Sequence, residues 1–246
     1  MTDAWSPERY ERFAAERERP FWDLAGLLEP ADAPALADLG CGSGRLTAEL
    51  ARRLGARTAL GIDTSPARLE RAAAHAADGV RFEAGDIGTW EAPGAYDVVF
   101  SNSTLHWLGD HAGVLARWAA ALRPGGQLAV QLPDNRRSVP HRIAARLAGG
   151  DIPHTVLEVD EYSRTLERLG FADQHVRAQV YPVRLPSRDA AVEWLRGSLL
   201  TDYERRMAAD DFAAFVADFR GALPDERPFF FPYVRVLMWA RLPAAG

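Results

Sequence analysis

Asp38-Leu39-Gly40-Cys41-Gly42-Ser43-Gly44 is the stretch that decides how this chain folds. It ends the apolar run Ala35-Leu36-Ala37-Asp38-Leu39, which reads as a buried strand. Beyond it Leu46, Leu50 and Leu54 recur every four residues and mark a helix closed by Gly55. Glycines at such a junction permit positive φ and let the backbone approach a ligand at the positive end of a helix. In open α/β sheets the crevice beyond the strand carboxyl ends is where ligands bind. A dinucleotide fingerprint needs glycine at the sixth position counted from Gly40, and Arg45 stands there. The loop is therefore built for a ligand other than NAD.

Outward from the loop, the same alternation continues. Thr58-Ala59-Leu60-Gly61-Ile62 is a second strand. Ser65 caps the next helix, Pro66 opens it, and Leu69, Ala72, Ala73 and Ala76 form its inner stripe. Val80 to Glu83 and Tyr96 to Ser101 are the third and fourth strands, and Val114, Leu115, Trp118 and Leu122 line another helix. Pro124-Gly125-Gly126 then turns into a fifth strand, Gln127 to Leu132. Five strands separated by helices imply a parallel sheet covered on both faces.

The second half is less regular. Asn135 to Asp160 reads as a loop with one short helix near Arg142 to Leu147. Tyr162, Leu166 and Leu169 mark a helix stopped by Gly170, and Val176, Ala178 and Val180 alternate as a strand. A helical block follows from Ser187 to Leu195 and again around Phe212, Phe215, Val216 and Phe219, before an apolar strand from Tyr233 to Leu242. No repeat or linker interrupts the chain. The reading is one domain: an N-terminal lid helix over 1–30, a ligand-binding core over 35–132, substrate-side insertions over 135–230, and a last strand over 231–242.

Composition narrows the function. The 246 residues are 48% apolar and 26% charged with a net charge of −5, ordinary for a globular domain and unlike a nucleic-acid binder. All 29 basic residues are arginine, which excludes a catalytic or P-loop lysine. The single cysteine, Cys41, excludes an internal disulfide and a multi-cysteine metal site. The histidines lack partners at metal-ligand spacing, so no metal is expected. No apolar run approaches membrane-spanning length and no leader is evident, so the expected location is the cytoplasm.

Two acids extend the site. Asp63 ends the second strand, 25 residues after Asp38, where a carboxylate can accept both hydroxyls of a ribose. Asp86 follows the third strand and is placed to take an adenine amino group while Ile87 packs on the ring.

These motifs, with Arg123-Pro124-Gly125-Gly126, resemble the class I S-adenosylmethionine-dependent methyltransferases. The resemblance implies a Rossmann-like fold with a mostly parallel seven-stranded sheet, helices on both faces and a helical insertion before the last strand. Its extra antiparallel pair falls at Val176–Tyr181 with Val234–Leu242. It implies S-adenosyl-L-methionine as cofactor, with Gly40, Gly42 and Gly44 at the methionine moiety and Asp63 at the ribose. Asp86 and Ile87 frame the adenine, and Asn102 or Ser103 lies near the transferred methyl. Asp38, Cys41, Thr64 and Arg19 complete the expected cofactor-binding set. A narrower likeness is carried by Trp5-Ser6-Pro7, Tyr10, Phe13, Glu16-Arg17, Arg19-Pro20, Asp86-Ile87 with Trp90, Asn102-Ser103, Leu105-His106-Trp107-Leu108, and Val130-Gln131-Leu132-Pro133-Asp134-Asn135. It resembles the trans-aconitate 2-methyltransferase group, which methylates a carboxylate of a small tricarboxylic acid. Three positions depart from that group's pattern: Ser198-Leu199-Leu200-Thr201 replaces Gly-Leu-Arg-Pro, Tyr162-Ser163 replaces a double tyrosine, and His106 replaces glutamine.

The expected reaction is methylation of a small, anionic acceptor, with neither nucleic acid nor membrane as partner. A carboxylate acceptor is already ionised at pH 7 and needs cationic or donor groups to hold it, for which arginine is suited. A hydroxyl or amine acceptor would use a base, and His106, with Trp107 beside it, is the candidate catalytic pair. A non-catalytic nucleotide-binding protein is the reading from another class. Nucleobase methylation fits poorly, since Ser101-Asn102-Ser103-Thr104 stands where an Asn/Asp-Pro-Pro-aromatic run is expected. The arginines Arg9, Arg12, Arg17 and Arg19 alternate with glutamates on a helix whose Tyr10 and Phe13 share a face; Arg19 is the candidate for a ligand carboxylate. Arg136 and Arg137 follow the fifth strand and offer further cations for an anionic substrate.

Overall fold

Helix α1, Ala14–Ala25, carries Pro20 within it and buries Phe21 against the ring of Phe100, 4.9 Å away. The structure, a computed structural model, describes residues 14–136, 138–150 and 155–245. The expectations placed on Trp5-Ser6-Pro7, Arg9, Tyr10, Arg12, Phe13 and Arg137 lie outside the described residues.

The first strand, β1 (Ala35–Leu39), is buried throughout. Gly44, in the left-handed conformation, caps α2 (Arg45–Leu54), and left-handed Gly55 ends it. β2 (Thr58–Asp63) leads to α3 (Pro66–Ala72), whose first turn is capped by the Ser65 hydroxyl accepting from the Arg68 amide. The apolar stripe read through Ala76 ends early, because a 3-10 turn at Ala73–His75 tightens the chain before β3 (Val80–Ala84). β4 (Tyr96–Asn102) runs into a 3-10 turn at Leu105–Trp107, then α4 (His111–Ala120) and β5 (Leu122–Pro133). After these come α5 (Val139–Leu147), α6 (Val159–Arg168), β6 (Asp173–Leu185), α7 (Arg188–Arg196), α8 (Leu199–Glu204), α9 (Ala209–Ala222) and β7 (Phe229–Arg241).

The seven strands form one sheet in the order β3-β2-β1-β4-β5-β7-β6, with β1 to β5 parallel. This is the architecture that the resemblance implies. β7 reverses direction against β5: the Leu242 amide donates to Gly126 and the Gly125 amide to Pro243, while the Asp134 amide donates to Val234. β5 starts five residues earlier than the sequence suggests. Tyr96 faces Leu122 and Val98 faces Gln127, so Arg123-Pro124-Gly125-Gly126 is taken up as a bulge inside the strand rather than as a preceding turn. Gly125 makes this possible with a φ of 76°. α8 forms where no periodicity is legible; its six residues are too few to show one.

The chain divides into two compact units. The sheet unit comprises Pro20–Pro133, Thr155–Gln179 and the described residues of Val236–Gly246. Its core runs through Ala37, Leu39, Ile62, Val99, Leu128 and Val130, with Leu115 and Trp118 of α4 packed on them. The helical unit comprises the described residues of Met1–Arg19, Asp134–His154 and Val180–Arg235. It is held by Trp194, Phe212, Phe215, Phe219, Phe229 and Phe231. No described helix is long and apolar enough to cross a membrane.

Candidate active site

The loop after β1 turns three times through positive φ, at Gly40 (88°), Gly42 (58°) and Gly44 (75°). The three glycines face different things. A Cβ on Gly40 would strike the Thr104 hydroxyl at 2.1 Å, and one on Gly44 would meet the Phe82 ring at 2.7 Å and Ala72 at 2.8 Å. Those two glycines let the loop pack against its own fold. A Cβ on Gly42 would meet nothing within 4 Å, so this glycine presents bare backbone to open space.

Asp63 ties the loop to the end of β2. Its side chain is 5% exposed; one oxygen accepts from the Gly42 amide at 3.0 Å, the other from the Ser65 amide at 2.9 Å. Arg68 adds a guanidinium at 3.7 Å. Each carboxylate oxygen keeps a lone pair beyond its backbone bond, which suits a vicinal diol. Thr64 beside it is exposed.

Asp38 is buried under the loop, where the Thr47 hydroxyl donates to it at 2.5 Å. Burial pushes its carboxyl up to about 7, Thr47 opposes the shift, and the charge of Asp63 adds to it. Burial also pushes the Cys41 thiol well above its ordinary range, with Asp38 and Asp63 adding to it, so it is a poor nucleophile.

After β3, Asp86 is exposed and its Oδ1 accepts from the Gly88 amide at 2.8 Å. Ile87 is 4% exposed and belongs to the sheet core, with its carbonyl accepting from the Trp118 indole at 2.9 Å. A Cβ on Gly88 would lie 3.4 Å from Leu108, so the loops after β3 and β4 meet. After β4, the Gln131 side-chain Nε2 donates to Asn102 Oδ1 at 2.9 Å and the Ser103 backbone amide to the Gln131 backbone carbonyl at 2.8 Å. Ser103 takes a φ of 58° to make that turn. His106 is half-buried with its ring 4.7 Å from that of Trp107, and its carbonyl accepts from Thr155. Trp107 itself is 68% exposed.

The structure thus gathers Gly42 with Asp63, Asn102 with Ser103, and the loops that carry Asp86 and Leu108. Arg19 lies in the helical unit and is exposed. Arg136 folds back on Asp134, with Nε and Nη2 at 2.9 and 2.8 Å from its two oxygens. Thr47, Thr104 and Gln131 support the site and were not singled out from sequence. Gln131 had a legible signal, since it lies in the quoted run Val130 to Asn135, near the end of the strand beside β4, where it faces Asn102. The other two needed three-dimensional contact. At the opposite rim, a cavity of about 240 Å³ is lined by Arg57, Arg81 and Arg123, but Asp97 pairs with Arg57 and Arg123 and Glu83 with Arg81. Among the described residues, no cluster of three His, Cys, Asp or Glu side chains could hold a metal.

Known proteins resemble this chain along most of its length. A family model described as a methyltransferase domain matches residues 36–126. An S-adenosylmethionine dependent methyltransferase from Mesorhizobium loti aligns at a TM-score of 0.58 with 25% identity, over 92% of this chain and 97% of that one. The trans-aconitate 2-methyltransferase of Deinococcus radiodurans is 37% identical, over 97% of this chain and 98% of its own length. That of Streptomyces avermitilis is 36% identical, over 98% of each. The fold is that of the class I methyltransferases, a Rossmann-like sheet with a helical insertion before its last strand. The chain belongs to the S-adenosylmethionine-dependent methyltransferases, in the family of these two relatives.

Proposed function

We propose that the protein transfers a methyl group from S-adenosylmethionine to a carboxylate of a small polycarboxylic acid such as trans-aconitate. The observation that carries this reading is the extent of the likeness. It runs through 97% of the chain, across residues 135–230, rather than ending with the methyltransferase domain at residue 126.

The rim residues fit the cofactor. Gly42 offers bare backbone at an open position, Asp63 holds the ribose hydroxyls, and Asp86 takes the adenine amino group. Ile87, buried behind Asp86, supports that loop from the core. Asn102, oriented by Gln131, and Ser103 stand on the acceptor side. S-adenosylmethionine, when bound, supplies a methyl on a sulfonium, electrophilic enough to need no further activation. The chain's own task is to align the acceptor in line with that methyl and to exclude water. A carboxylate arrives ionised at pH 7 and has no proton to give up, so no side chain acts as its base. His106 and Trp107 shape the acceptor side rather than move a proton.

The test is incubation with labelled S-adenosylmethionine and a panel of mono-, di- and tricarboxylic acids, scoring base-labile product as ester. Ester formed from the tricarboxylates is the expected result, with a rate flat above pH 6 and reduced less than about fivefold by His106→Ala. Base-stable product on an amine or hydroxyl, with a loss on the order of 10²–10⁴ in that variant, contradicts the reading.

A further inference from the structure

β5 is buried from Gly126 to Pro133, and one of its residues there is an amide where the pattern calls for a hydrophobe. Gln131 stands between Val130 and Leu132 and is 1% exposed. Burying an amide costs free energy unless its polar atoms find partners, and a leucine or methionine would fill the same place without that cost. Packing alone gives no reason for it. Its neighbour does: Gln131 lies directly opposite Asn102 in the β4–β5 register, and its Nε2 donates to Asn102 Oδ1 at 2.9 Å.

We propose that Gln131 is a positioning residue: it turns the Asn102 amide so that Nδ2 donates to a carboxylate oxygen of the acceptor. The inference rests on the carboxylate reading of the acceptor. Three observations carry it. The Asn102 amide has an accepting end and a donating end, and Gln131 takes the accepting one. Nδ2, which can only donate, is left without a partner among the described residues. The backbone around that side chain is held as well. The Ser103 backbone amide donates to the Gln131 backbone carbonyl at 2.8 Å, and the Thr104 hydroxyl to the Asn102 carbonyl at 3.1 Å. Finally, Asn102 stands at the strand-end rim. Asp38 of β1 pairs with Phe100 of β4, so Asn102, two residues on, ends β4 level with Gly40. It is half-buried, so the amide is reached from that rim. A single neutral donor leaves the second carboxylate oxygen unengaged, whereas an arginine fork would grip both. A protonated amine would meet this donor with N–H groups of its own, which disfavours it.

The test is calorimetric titration of the full chain, saturated with S-adenosylhomocysteine, with propane-1,2,3-tricarboxylate. Gln131→Met frees the Asn102 amide to turn. It should weaken tricarboxylate binding about three- to tenfold and raise the acceptor KM in proportion, with S-adenosylhomocysteine affinity within about threefold of wild type. Asn102→Ala removes the donor and should cost about tenfold. In that background Gln131→Met should add less than about twofold, because Gln131 acts through Asn102, whereas a merely structural Gln131 would cost the same in both. Asn102→Asp keeps the acceptor for Gln131 and exchanges the outward donor for an oxygen. It should weaken the tricarboxylate at least about tenfold, and it decides the matter if the methionine variants fail to fold. Unchanged tricarboxylate affinity in Asn102→Asp overturns the proposal, as do additive losses in the folded double variant and a wild type that binds no tricarboxylate. If esters form while the Asn102 variants keep wild-type KM, the positioning role fails alone. If the tricarboxylate binds through Asn102 but no ester forms, the acceptor reading fails and recognition of a carboxylate by the oriented amide stands.

Discussion

The two units place their polar groups in opposite settings. In the sheet unit, Gly42, Asp63, Asp86 and Asn102 stand where strands end and the backbone leaves the ladder. In the helical unit, His141 and Arg235 are buried inside their own elements' packing, Arg235 with its guanidinium over the Tyr233 ring. A site made of strand ends is a matter of backbone, and its sequence signature is glycine and aspartate at set intervals. Buried polar side chains have no such signature, because any strand or helix can carry one polar residue inward.

That contrast can be broken most sharply at Gly42. Gly42→Val puts a β-branched residue at a φ of 58° and fills the one open position of the loop. Affinity for S-adenosylhomocysteine should fall at least ~100-fold by calorimetry, while the melting temperature drops by only the few degrees that ~1–2 kcal/mol of backbone strain implies. A large loss of stability with affinity retained would show that Gly42, like Gly44, serves packing.

The pH dependence of stability should separate the units next. Asp38 holds a proton in the folded chain up to about 7, whereas the unfolded chain releases it near 3.8. Its contribution is therefore full at low pH and declines, by a few kcal/mol at most, as pH rises from about 4 to 7. Asp38→Asn should flatten that decline. His141 runs the other way: its folded value, about 4, is below the ordinary 6.5, so stability is present above 6.5 and is lost as pH falls toward 4. His141→Gln should reduce that acid loss. Melting curves across pH 4–8 check both, and a reversed slope in either variant contradicts the burial of its group.

The smallest effect is a control. Ala33 is exposed at a φ of 40°, before β1 and away from its strand-end loop, so Ala33→Gly should change stability by less than about 1 kcal/mol and leave ligand binding alone.

Legibility follows the same division. Strand after strand, β1 to β4 match the apolar runs within a residue or two, because buried parallel strands are nearly continuous hydrophobic segments. β5 reads short in the sequence because Pro124-Gly125-Gly126 looks like a turn and is a bulge. In the helical unit, α7 and α9 showed their periodicity, whereas α8 did not. Arg235 was invisible: within the run Tyr233 to Leu242 it looks like any exposed strand residue until the Phe229, Phe231, Tyr233 face is known to be buried. Trp107, singled out from sequence for standing in a loop, is the most exposed of the large apolar side chains described.

The account depends most on Asp63, whose two oxygens hold the glycine loop to β2 and remain able to accept from a diol. Titrating S-adenosylhomocysteine into wild type and Asp63→Ala tests it directly. At least tenfold weaker binding in the variant is the predicted result, about what losing a charged hydrogen-bond acceptor implies. Equal affinity in a folded Asp63→Ala protein would mean that the ligand binds elsewhere than along this rim.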